Sequence, residues 1–369
     1  MISPATAQTY AQELAEAYRD AELRILERIT AAVATGLDAP DYEVQALGRL
    51  QLVRAQVIDV LSRMQPLAAA QILADLNAAY LTGVGSAYLD AGRTLDVTLR
   101  MSLAQQAAVS ALVADTTAGI ASAQPGILRS VDDVYRRVVA QASTSVATGS
   151  IGRREATQAA LNDLLGQGLR AVPTSRGNLA LGDYVTMAVR TAVARSAVEG
   201  HLGGMDELEL DLVTIEPGPR TCDICDKWAR LVLARRGAAG VREFRSATDG
   251  RLLRIRVDDT LANARAQGWG HPNCRCNIGA YIPGVTRPED LQRPPWDAKA
   301  YEAQQTQRGI ERQIRGWKSR QAVAITTEDA AYSRRRVQAY QQAMRDHLST
   351  HSSLKRQSSR EQISGTLSG

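Results

Sequence analysis

Phenylalanine occurs once in 369 residues, and aromatic side chains make up only 4% of the chain. Large rings cannot supply the core, so the composition points to alanine, leucine and valine helices packed closely. Cysteine occurs four times, confined to positions 222–276. Uninterrupted apolar runs are short: none approaches the roughly 18 residues of a membrane helix. The opening stretch MISPATAQTYAQELAEAY has neither a basic n-region nor an apolar h-region. A soluble, cytoplasmically made protein without a membrane span is therefore expected. Catalytic signatures are missing too. The four histidines (His201, His271, His347, His351) form no H-E-x-x-H, and neither a G-x-S-x-G elbow nor a Walker A loop occurs. No catalytic residue is assigned, and the chain is not expected to be an enzyme.

What is present is distributed unevenly. The formal net charge is +5, yet residues 287–369 hold 15 Lys/Arg against 9 Asp/Glu. The basic character thus belongs to the C-terminal part, where it suits nucleic acid, an acidic protein surface, or simply a solvated helix face.

Hydrophobic steps of three and four predict helix through most of residues 1–205. Leu14, Tyr18, Ala21, Ile25 and Ile29 share one stripe, opened by Ser3 and Pro4 and stopped by Gly36. A second helix runs from Asp41 towards Pro66, and Pro66 opens a third that ends near Gly83. Further helices are expected at about 102–123, 130–148, 153–166 and 183–202, with breaks at Pro125-Gly126, Gly149–Gly152 and Val172–Gly177. GVGSAY at 83–88 reads as a glycine-marked helix break rather than a phosphate loop. Arg190 and Arg195 read as salt-bridging or partner-facing. Residues 206–286 change character: LDLVTIEPG, ARLVLAR and RLLRIRV look like short strands, and Asp258-Asp259 suits a turn or helix cap. Few apolar residues are available there, so this small α+β unit needs a staple. Residues 287–369 return to basic helix at 297–320 and 327–348, with Thr327 as cap, and end in a polar stretch expected to be partly disordered. The expected fold class is mainly α, in three parts: 1–205, 206–286 and 287–369.

The staple is written in the cysteines. Cys222 and Cys225 form C-x2-C, and Cys274 and Cys276 form C-x-C with His271 three residues earlier. Zn2+ takes four tetrahedral ligands from such thiolates and imidazoles, so two distant loops would close around one ion. Cys222 and Cys225 are the firm pair; Cys274 is joined by Cys276 or by His271. A closed four-ligand site is structural rather than catalytic. Paired disulfides, free thiols and a redox C-x2-C are the weaker readings, the last because no βαβ pattern surrounds it.

The succession of the C-x2-C turn, HPNCRC and YIPGVTRPED resembles the minor capsid and head-morphogenesis proteins of tailed bacteriophages. Asn273-Cys274-Arg275-Cys276 followed by Tyr281-Ile282-Pro283-Gly284 is similar to the phage minor capsid protein 2 family, as are YEAQQTQRGIERQIRGWKSR at 301–320 and LKRQSSREQI at 354–363. The cysteine set itself is similar to that of Mu-type head-morphogenesis proteins. The resemblance implies a low-copy structural protein of the phage head, made in the host cytoplasm and present in several copies around a symmetric vertex. Its partners would be the portal or the major capsid protein. Packaged DNA would meet the basic tail nonspecifically through Arg312, Arg315, Lys318 and Arg320. A capsid maturation protease or head-packaged effector enzyme, and a zinc-dependent nucleic-acid binder, are the competing readings.

Overall fold

A computed structural model describes residues 4–93, 101–147, 152–167, 172–173, 177–218, 221–291 and 296–363. The Ser3 cap, the break at 149–151, Pro294-Pro295 and the chain after 363 lie outside them. Helix accounts for 68% of the described residues, so the fold is mainly α with a small mixed-sheet region. The principal helices are α1 (Pro4–Ala34), α2 (Tyr42–Asp90), α3 (Leu103–Ser122), α4 (Gln124–Ala147), α5 (Arg153–Gln167) and α6 (Leu181–Glu207). Two short helices, α7 (Asp223–Asp226) and α8 (Leu261–Ala266), lie among the strands, and near the C-terminus come α9 (Ala298–Ala322) and α10 (Thr327–Thr350).

Contacts group the chain into two compact units. One comprises residues 1–12, 69–117 and 187–301; the other comprises 13–68, 118–186 and 302–369.

In the first unit, strands β1 (Leu212–Glu216), β2 (Val232–Ala234), β5 (Asp259–Thr260) and β6 (Asn277–Ala280) form a sheet of order β5-β2-β1-β6. β1 is antiparallel to β2 and β6, and β2 is parallel to β5. A separate hairpin pairs β3 (Gly240–Arg245) with β4 (Leu252–Val257). Periodicity missed β3 and β6, the first for its charged alternation and the second for its shortness. The region is not short of core as its composition suggested. Val213, Ile215, Trp228, Leu233, Trp269 and Ile278 pack with Leu202 and Met205 of α6 and Ala87 of α2.

Two breaks expected in α2 are absent. Pro66 lies inside the helix, on an exposed stretch where water can take the carbonyl its ring leaves unbonded. Gly83 does not end the helix either. A Cβ there would overlap the Ala197 carbonyl, and a Cβ at Gly200 would overlap that of Tyr80. These glycines let α2 and α6 meet backbone to backbone, and the phosphate-loop alternative for 83–88 falls with them. Arg190 is buried, not partner-facing, whereas Arg195 is exposed. Among the described residues α2 alone is long and apolar enough to cross a membrane, with a best-window hydropathy of 1.2. The search for uninterrupted apolar runs passed over it. Of that window 44% is buried inside the protein.

The second unit is helical. Tyr42 and Tyr135 are fully buried and donate to the Val33 and Ala46 carbonyls at 2.8 Å each, so each ring fills space while its hydroxyl stays satisfied. α9 and α10 pack through Ile314, Val337 and Met344. Thr326, one residue before the expected cap, accepts from the Asp329 amide at 3.1 Å. The polar end of the chain is described through residue 363. Leu354 and Glu361 are buried, and Glu361 takes both guanidinium contacts of Arg356 at 2.6–2.7 Å.

Candidate metal centre

Cys222 precedes the one-turn helix α7 (Asp223–Asp226), and its carbonyl accepts from the amides of Cys225 and Asp226 at 3.2 and 3.0 Å. That turn aims two thiols the same way. The second loop is a turn closed by Cys274 N–H to the His271 carbonyl at 2.9 Å. Asn273 supplies its left-handed residue, φ 68°, a conformation asparagine tolerates. Its amide is held by the Thr191 hydroxyl of α6 at 3.1 Å. Cys276 then leads into β6, which pairs with β1, and so the sheet carries the C-x-C to the C-x2-C.

All five donors named from the sequence come together. Cys222, Cys225 and His271 form one group and Cys225, Cys274 and Cys276 another, the ligand atoms of each lying within 4.8 Å of one another. Cys225 belongs to both. Its sulfur is 3.5 Å from that of Cys274, and Cys222 Sγ is 3.1 Å from His271 Nε2. A tetrahedral Zn2+ would set such S···S and S···N pairs at about 3.8 and 3.6 Å, so modest spreading accommodates an ion. The four cysteines are free thiols.

Protonation also fits a metal. His271 Nδ1 lies 2.8 Å from the Pro272 carbonyl; a carbonyl only accepts, so Nδ1 carries the proton and the Nε2 lone pair faces the cluster, the usual arrangement of a ligating histidine. Hydrogen bonds from Cys225 and then Cys276 hold the Cys274 thiol well below its usual value, the direction that favours a metal-binding thiolate. The bond shared with Cys274 pushes Cys225 far up. Cys276 rises to about 12: its bond with Cys225 favours the thiolate, but the bond with Cys274 and burial outweigh it. Trp228 and Trp269 pack in the same core, and the Thr221 hydroxyl lies 3.0 Å from Cys276 Sγ. Periodicity gave no sign of Thr191, Thr221 or the Trp296 indole, which donates to the Thr221 carbonyl at 3.0 Å.

Other singled-out residues have different fates. Asp258 accepts from the Val232 amide, and Asp259 from Thr260 N–H and the Asn263 side chain; the helix cap itself is Thr260, whose hydroxyl accepts from the Asn263 amide. Arg315 donates to both Asp183 oxygens at 2.7 and 2.8 Å and to the Arg360 carbonyl. Lys318 reaches Gln362 at 2.9 Å, and Arg320 stacks over Trp317 at 4.1 Å. Arg312 is exposed. One trio escaped the sequence reading. Ser86 Oγ lies 2.9 Å from His201 Nδ1, and Asp90 lies 3.7 Å from Nε2. Ser86 and His201 are sealed at 3% and 2% exposure, so this serine–histidine–aspartate set ties α2 to α6 and is closed to substrate.

Fold and site together define a class: a mainly helical protein with a small mixed-sheet region whose cysteine–histidine cluster can hold a metal ion. Residues 2–349 match the family described as Phage minor capsid protein 2, and the chain belongs to that family. The family is a structural one and not an enzyme family, which places the chain among phage capsid components. No curated protein and no solved structure matches the chain.

Proposed function

We propose that the chain is a structural component of the phage head, stationed at the portal vertex or the inner capsid face, without catalytic activity. Family membership across residues 2–349 carries this reading. The cluster is proposed as a closed structural Zn2+ site: Cys222, Cys225 and Cys274 supply three ligands, and Cys276 or His271 the fourth. When bound, the ion would clamp the α7 turn to the start of β6. The division at 205/206 and 286/287 is kept as a functional one, with the clamped part between two helical parts.

Several copies around a symmetric vertex would contact the portal or the major capsid protein. The basic C-terminal part would touch packaged DNA without sequence preference, chiefly through exposed Arg312 with Lys318 and Arg320. Arg315 is engaged by Asp183 and would contribute least. Mass spectrometry of purified particles and of assembling heads tests the assignment. A low, fixed copy number per head is expected; absence from both preparations overturns it, and cleavage of a capsid protein by the purified chain would favour the protease reading.

A further inference from the structure

The β3–β4 hairpin divides its side chains cleanly. Phe244, Ile255 and Val257 turn inwards onto Leu212, Val232, Ala234 and Tyr281. The alternate residues form the other face, with Val241 opposite Arg256, Glu243 opposite Arg254 and Arg245 opposite Leu252. Each rung of that face carries one arginine, and successive rungs lie about 6.8 Å apart. The fold makes little use of it. Val241 and Leu252 are 59% and 61% exposed. Arg256 is 84% exposed beside Asp258, Arg245 reaches only the Gly250 carbonyl at 3.5 Å, and Arg254 has no partner among the described residues.

We infer that this outer face of the hairpin is a docking surface for another capsid protein, on a patch that pairs carboxylates with aliphatic side chains. The inference rests on the capsid assignment above and names the surface by which the chain would attach. Three arginines against Glu243, with Asp258 beside Arg256, leave the face net positive and suit an acidic partner, and arginine is enriched at interfaces and their hot spots. Two alternatives fit worse. A second copy of this face would bring like charges together. A nucleic-acid backbone would gain nothing from Val241 and Leu252 and would meet Glu243 in the central rung. Carboxylates, by contrast, take guanidinium groups in paired hydrogen bonds.

The test uses the full chain, co-produced with the portal and major capsid proteins of its phage. A Leu252→Asp/Arg254→Glu variant should lose at least about tenfold in copies per head, as when a central interface anchor is removed. A charge reversal on α2, Arg63→Glu, should change incorporation less than about twofold. Unchanged metal content and circular dichroism exclude misfolding of the variant. As a second readout independent of folding, a photo-crosslinking residue at Val241 should join the chain to an acidic segment of one capsid protein. Normal incorporation of the double variant, crosslinks to DNA, or crosslinks only between copies would each overturn the inference. If the unaltered chain itself fails to enter heads, the capsid assignment fails; if both chains enter equally, only the docking surface does.

Discussion

The α2–α6 contact and the sheet region below it answer the same shortage of large side chains in opposite ways. Where α2 meets α6, side chains are removed: Gly83 and Gly200 place each helix against the other's carbonyl groups, and alanines and valines fill the rest. In the sheet region two of the chain's four tryptophans are brought to bear, and the cysteines of the thiol–imidazole cluster pack into the same core. One solution depends on the absence of atoms and the other on a few polarisable ones. The first should fail by overcrowding, the second by loss of ligands.

Removing the proposed metal is the harshest way to break the comparison. Structural zinc sites in small domains contribute on the order of 10 kcal/mol of apparent binding free energy at neutral pH. Chelation, or Cys225→Ser, which removes the residue common to both groups, should abolish hydrogen-exchange protection in β1, β2 and β6. Far-UV circular dichroism should fall only slightly, because most helix lies elsewhere. Equal protection with and without chelator would refute the clamp.

Overcrowding comes next. Gly83→Leu or Gly200→Val inserts carbon where a backbone carbonyl already stands, and overpacking of this kind should cost about 3 kcal/mol or more in denaturant unfolding. Gly250, in the β3–β4 turn at φ +69° with nothing within 4 Å of its missing Cβ, makes the contrast. Gly250→Ala should cost only about 1 kcal/mol, the strain of a left-handed residue. If the two kinds of glycine proved equally tolerant, the close α2–α6 approach would be wrong.

The same glycines show why parts of the fold were legible and parts were not. Helix type and extent were legible for α1, α3, α5, α9 and α10, because glycine, proline or capping residues mark most of their ends and no breaker falls in their middle turns. The two errors in α2 share a cause: Gly83 and Pro66 are read locally as breakers, while tertiary contact decides the first and solvent exposure the second. All five candidate ligands were legible because sulfur is rare here and its spacing is chemically restrictive. Thr191, which holds the Asn273 amide, was not, since one threonine among many on a helix carries no local signal. Arg315 misled for the reverse reason: a charge in a basic run looks solvated until Asp183 is seen beside it.

The last comparison separates the units by pH. In the first, burial and then Arg235 hold His201 down to about 4. The unfolded chain, with an ordinary histidine near about 6.5, therefore binds more protons across that window. Stability is intact above about pH 6.5 and is lost as pH falls to 4, by about 3 kcal/mol in all. Glu22 in the second unit behaves oppositely. Burial and the neighbouring Asp183 push it up to about 7, so its folded state holds the extra proton; its contribution is complete at acid pH and is lost as pH rises through 7. Protection factors, exchange rates referred to the intrinsic rate at each pH, should thus drift in opposite directions in α6 of the first unit and α1 of the second between pH 7 and 5. His201→Gln should flatten the first trend, with the raised carboxyl of Asp90 left as a weaker counter-slope, and Glu22→Gln should flatten the second. Parallel trends in both units, or no change in either variant, would mean that these buried groups do not set the local stability of the helices that carry them.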